Sequence, residues 1–191
     1  FITAPTASPL FAATMGRLLE GLAARAGNPL TLVEIGAGEG LFLEALGEAL
    51  VPGVVSRTVA VEVAGWARER LEGRCPHVEC AASLVDVARP SGSVVLFASE
   101  LYDAMPVDRV TVVRRGGQLV LQEYFVELDA GERLRWVLGD PEGPAAALYL
   151  QEIGVVLEEN QVAEVRPELR PTHAEHLAWC GHDAIALVVE Y

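Results

Sequence analysis

Apolar positions along the chain follow two rhythms, short runs that suit buried strands and stripes at helical spacing. Leu30, Leu32, Val33 and Ile35 form an apolar run bounded by turn residues, as expected of a strand in a parallel sheet. Leu41, Phe42, Ala45, Leu46 and Ala49 then recur at helical spacing, so the backbone turns sharply between the two elements, over VEIGAGEG at 33–40. A second strand is predicted over 57–63 and a short helix over 64–72. A third strand is expected at 77–80, a helical turn capped by Ser83 at 83–87, and a fourth strand at 94–98, launched from Ser91-Gly92-Ser93. Strands alternating with helices imply right-handed βαβ units and a parallel sheet, with ligands beyond the C-terminal strand ends.

Before this core, FITAPTASPLF at 1–11 reads as an extended lead in which Ser8 caps a helix and Pro9 suits its first turn. Phe11, Met15, Leu18, Leu19 and Leu22 give that helix its apolar stripe, and Gly27-Asn28-Pro29 ends it. The helix itself reads as core packing, while the lead is placed to cover a ligand. Beyond Asp108 the texture changes. Val110 to Val113, a turn at 114–117 and Leu119 to Leu128 predict a β-hairpin excursion, within 108–145. Residues 140–144 read as a loop, and 145–157 fit a helix or a strand equally. A short strand at 161–165, a helix at 171–179 and a last buried strand at 184–189 complete the chain. The expectation is one α/β domain of 191 residues with that excursion, without internal repeats.

Composition narrows the chemistry. All 14 basic residues are Arg. Without Lys there is no candidate for a P-loop lysine, a Schiff base or a kinase strand lysine. A net charge of −13 excludes nucleic acid as an expected partner and favours a cationic one. No apolar run reaches the ~18 residues of a membrane span, so no membrane partner is expected. Cys75, Cys80 and Cys180 are odd in number and match no zinc spacing, which points to a reduced, cytoplasmic protein. His173, His176 and Cys180 share a helical face, but no fourth ligand accompanies them and no metal is expected. The chain opens on Phe1 rather than Met, so upstream sequence, a targeting segment included, is expected to be missing.

The acids around the glycine turn carry the functional reading. Gly36, Gly38 and Gly40 follow a G-x-G-x-G spacing rather than the G-x-G-x-x-G of dinucleotide folds. Glu34 and Glu39 place carboxylates in and beside the turn, and no Arg lies between Arg25 and Arg57 to offset them. Such a turn repels a phosphate and attracts a ligand bearing an ammonium and a sulfonium, which describes S-adenosylmethionine. Glu62 ends the second strand roughly 20 residues beyond the glycines, where an acid accepts hydrogen bonds from both hydroxyls of an adenosine ribose. At the end of the fourth strand, SELYDAMPVD at 99–108 puts Glu100 and Asp103 three residues apart on the same rim.

Three segments together resemble one family. TAPTASPLF at 3–11, VEIGAGEG at 33–40 and SELYDAMPV at 99–107 look like the MidA-like class I S-adenosylmethionine-dependent methyltransferases. That group includes a mitochondrial complex I assembly factor acting as a protein arginine methyltransferase. VAEVRPEL at 162–169 and the final VVEY extend the resemblance more faintly. Ser99 stands where the family has Asn and Thr6 where it has Glu, and members continue beyond the position of Tyr191.

The resemblance implies a Rossmann-like methyltransferase sheet flanked by helices. It also implies an arginine on a partner protein as methyl acceptor. It assigns Gly36, Gly38 and Gly40 to the methionine part of the cofactor, Glu62 to the ribose and Asp86 to the adenine amino group. Glu100 and Asp103 are the candidate catalytic pair. They either orient a guanidinium or hold the cofactor's ammonium or a rim turn. Two other readings stay open, an S-adenosylmethionine-binding assembly factor or sensor with little turnover and an NAD-linked oxidoreductase. Oligomeric state is not legible.

Overall fold

The apolar runs fold into two units, described in a computed structural model that covers residues 9–181 and 184–190. In chain order the elements are α1 (Pro9–Ala26), β1 (Leu30–Ile35), α2 (Leu41–Ala49), β2 (Val55–Val61), α3 (Gly65–Arg74), β3 (Glu79–Ala81), β4 (Val94–Ser99), β5 (Asp108–Arg115), β6 (Gln118–Leu128), β7 (Leu134–Gly139), α4 (Ala145–Glu152), β8 (Val162–Val165), α5 (Leu169–Cys180) and β9 (Ala184–Val189). One unit comprises Phe1–Ala104 with Ala174–Tyr191, the other Met105–His173. Residues 1–8 of the expected lead, with the Ser8 cap, lie outside the described residues, as does Tyr191, while Pro9, Leu10 and Phe11 belong to α1. No helix among the described residues is long and apolar enough to cross a membrane.

The first unit is built on a five-stranded sheet in the order β3-β2-β1-β4-β9, with every adjacent pair parallel. Its central strands are buried throughout, which explains why β1 and β4 read as unbroken apolar runs. Successive side chains point to opposite faces. Leu30, Leu32, Ala60, Val95 and Phe97 pack with Ala12, Met15 and Leu19 of α1 and with Phe42 and Leu46 of α2. On the other face Val33, Ile35, Val59, Val61 and Leu96 pack with Leu84 and with Cys180 of α5. Phe97, fully buried, centres an aromatic group with Phe42 at 4.8 Å and Phe11 at 6.2 Å between ring centroids.

Several boundaries differ from the sequence reading. β2 runs from Val55 to Val61, so Glu62 lies just past its end. β3 is Glu79–Ala81, starting two residues later than expected and ending one later. In α1 the buried stripe is Ala12, Met15, Gly16 and Leu19, while Leu18 faces outward. A Cβ on Gly16 would sit 3.5 Å from the Ala49 carbonyl oxygen, which shows how closely α1 approaches α2.

The second unit is an antiparallel sheet in the order β7-β6-β5-β8. The expected hairpin is present as β5 and β6, joined through Gly116 and Gly117 at φ 60° and 84°. It is only half of the sheet, because β7 and β8 extend it on both sides. The undecided segment resolves as the helix α4 (Ala145–Glu152), whose Ala146 and Leu150 pack on Val110 and Val165. A Cβ at Gly117 would meet nothing within 4 Å, so Gly117→Ala carries only the left-handed backbone cost. It should destabilise this unit by about 1 kcal/mol in denaturant titration.

Candidate functional site

β1 ends at Ile35 and the chain turns through Gly36, Gly38 and Gly40, at φ 73°, 54° and 78°, before α2 begins at Leu41. The glycines do different work. A Cβ on Gly36 would lie 3.0 Å from Leu101 Cδ1, and one on Gly40 2.9 Å from Leu71 Cγ. Gly36 thus admits the segment after β4, and Gly40 admits α3. Gly38 has open space where a Cβ would stand, and its N–H donates to Glu62 Oε2 at 2.9 Å.

Glu62 links two strand ends. Its Oε1 accepts from the Ala64 N–H at 2.8 Å while Oε2 holds the glycine turn. Each carboxylate oxygen keeps a second lone pair for a ligand hydroxyl. Arg68 Nη1 donates to the Glu62 and Val63 carbonyls, at 2.6 and 2.8 Å, and so fixes the backbone that presents the acid.

The charge picture around the turn needs two corrections. Glu39 is not left unopposed. Arg70 Nη1 donates to its carboxylate at 2.9 Å and Arg74 Nε to its carbonyl at 3.1 Å, both supplied by α3 rather than by neighbours in sequence. Glu34 is not a solvated carboxylate at the surface of the turn. It is only 4 % exposed, and burial, then the charge of Glu62, push its carboxyl well above the usual carboxylate range. It sits opposite Phe97 in register, on the sheet face that packs against α1 and α2. Its Oε2 has no hydrogen-bond partner among the described residues.

Ser99, at the end of β4, carries a second such atom, its buried Oγ. It falls on the same sheet face as Glu34, two residues beyond Phe97. Beyond it, Glu100 is half-buried and Asp103 exposed, in a turn rather than a helix. Glu100 stands at φ 50° with its N–H donated to the Val189 carbonyl at 2.8 Å. The Tyr102 hydroxyl and His176 Nδ1 share a hydrogen bond of 2.8 Å, and burial raises that phenol above its ordinary range. Asp86 is exposed in the single helical turn Leu84–Asp86 that follows β3.

The parallel order therefore brings the glycine turn, Glu34, Glu62, Ser99 and Glu100 to the C-terminal rim of neighbouring strands. The strand order reverses between β1 and β4, and open α/β sheets bind ligands at such a switch point. The residues fit S-adenosylmethionine: an orphaned buried carboxyl oxygen, an open approach over Gly38, and an acid with lone pairs to spare.

A family model described as "Putative S-adenosyl-L-methionine-dependent methyltransferase" matches residues 11–191. The chain belongs to this family. A comparison with curated proteins found no match. Among solved structures, the chain is similar to a Burkholderia thailandensis protein crystallised with S-adenosyl-homocysteine, at 27 % identity and a TM-score of 0.63, over 90 % of this chain and 44 % of that one. A native crystal structure of a protein from the same organism is similar at 26 % identity and a TM-score of 0.65, over 90 % and 46 %. The chain thus spans less than half the length of these relatives. Within the methyltransferase family, the α/β fold with a parallel central sheet is the expected one.

Proposed function

We propose that this chain binds S-adenosylmethionine over the glycine turn and transfers its methyl group to a side chain of a partner protein. The observation that carries the reading is the Glu62 carboxylate bridging the Gly38 and Ala64 N–H groups beside the orphaned Glu34 Oε2. When bound, the cofactor supplies a methyl group on a sulfonium, open to in-line attack. Glu62 accepts the ribose hydroxyls, Gly36, Gly38 and Gly40 leave room for the methionine part, and Asp86 meets the adenine amino group. Glu34 is the acid that would face the cationic end.

The finer reading is a MidA-like protein arginine methyltransferase acting in the cytoplasm, supported by SELYDAMPV at 99–107 and by the acidic balance of the chain. A guanidinium is protonated at neutral pH and its lone pairs are delocalised. Carboxylates that orient it and draw its charge toward one side expose the opposite nitrogen, and Glu100 and Asp103 are the candidates for that task. A second reading, a cofactor-binding protein with little turnover, is favoured by Ser99 in the position where the resembled family has Asn.

Transfer of labelled methyl from S-adenosylmethionine to the proteins of a lysate separates the two. Label on arginine, reduced at least roughly tenfold by Glu100→Gln together with Asp103→Asn, is the expected result. Cofactor binding without any transfer would leave the binding protein as the answer.

A further inference from the structure

The turn after β4 is fastened by an acid that stands far from the glycine motif. Glu190, the residue after β9, extends Oε1 to the Tyr102 N–H at 3.0 Å and Oε2 to the Asp103 N–H at 3.2 Å, across 88 and 87 residues of sequence. The preceding residue, Val189, takes the Glu100 N–H at 2.8 Å. Glu100 is meanwhile held at φ 50°, a left-handed conformation that is strained for a residue with a Cβ. Such a conformation persists only where surrounding contacts enforce it. Here the contacts come from the last strand and, through the Tyr102–His176 hydrogen bond, from α5.

We infer that Glu190 is a positioning residue for the methyl-acceptor side of the site. Its carboxylate closes the strained turn and so fixes where Glu100 and Asp103 stand on the rim. The inference rests on reading this turn as the acceptor side. An acid is required there by hydrogen-bond chemistry. Two adjacent backbone N–H groups present two donors, and an ionised carboxylate alone among side chains offers two acceptor oxygens and no donor. An amide would satisfy one N–H and turn its NH₂ against the other. Both oxygens of Glu190 hold the turn on which Glu100 and Asp103 stand.

The test uses Glu190→Asp, Glu190→Gln and Glu190→Ala in the whole protein. Amide hydrogen exchange at Tyr102 and Asp103, read by NMR, should quicken in the order Asp, Gln, Ala, reaching roughly tenfold or more in the alanine variant, with the amides of β1 and β4 unchanged. The Kd for S-adenosylmethionine, read by calorimetry, should stay within twofold of the parent, while methyl transfer to lysate protein at saturating cofactor falls roughly tenfold in Glu190→Ala and recovers in Glu190→Asp. Unchanged exchange at the two amides overturns the clamp. Cofactor affinity falling in step with transfer overturns the assignment to the acceptor side. A parent protein that binds cofactor and transfers nothing counts against the acceptor-side reading of the turn, and exchange still decides whether Glu190 holds it.

Discussion

Replacing Glu62 with Ala should weaken S-adenosylmethionine binding by more than about 100-fold in calorimetric titration. Hydrogen bonds to an ionised group contribute roughly 1.5–3 kcal/mol each, so losing two ribose hydroxyl contacts removes about 3–6 kcal/mol. The loss reaches further than the ribose, because the same carboxylate holds the Gly38 N–H and with it the shape of the glycine turn. Glu62→Gln keeps the size and one good acceptor and should fall between the parent and the alanine variant. Half-exposure of the rim lets water reach the freed Gly38 and Ala64 N–H groups, so thermal unfolding should change little. A folded variant whose Kd rises less than tenfold would remove Glu62 from the cofactor site. NADH titrated into the parent is the control, and tight binding would return the dinucleotide reading.

What the sequence made legible is what depends on neighbours along the chain. Within VEIGAGEG and the residues after it, the apolar period switches from strand to helix with glycines between, and β1, its turn and α2 follow. β4 was equally plain, since its run is buried on both faces and opens from a serine-glycine turn. β7 was missed because Leu134, Trp136 and Leu138 alternate on an open face among charged residues. The signal existed in Asp129-Ala130-Gly131, where the Asp129 carboxylate caps the Gly131 and Arg133 N–H groups and reverses the chain. Those bonds also hold the Asp129 carboxyl below its ordinary range.

In the site, positions were legible but charge states were not. Arg70 and Arg74 reach Glu39 from α3, at a separation no local pattern reveals. Glu190 closes on Tyr102 and Asp103 only because β9 lies parallel beside β4. Glu34 and Glu62 look alike in sequence, yet one is sealed into the sheet face against α1 and α2 and the other lies on the rim. Burial, not residue type, is what raises the Glu34 carboxyl above the usual carboxylate range.

Glu34 accordingly sets a pH dependence of its own. In the unfolded chain a glutamate titrates near ~4.3, and in the ligand-free fold the Glu34 carboxyl is raised well above that. Between the two values the folded protein keeps a proton that the unfolded chain has released. Stability from this group is therefore complete below the unfolded value and is lost as pH rises through the folded one. Glu34→Gln, neutral at every pH, should escape the loss. It should make the ligand-free protein more stable than the parent at neutral pH, read as a higher melting temperature.

The same variant should bind S-adenosylmethionine at least about tenfold more weakly, because an amide cannot ionise opposite the cationic methionine part. In the parent, binding should expel the Glu34 proton, so affinity rises with pH below the ligand-free pKa and the calorimetric heat shifts with the ionisation enthalpy of the buffer. In the variant that shift should vanish. A gain in stability with unchanged affinity would reduce Glu34 to a buried acid tolerated by the sheet. Opposite signs for stability and affinity would instead identify it as a group kept, at a cost to the empty fold, for the charge it opposes when the site is filled.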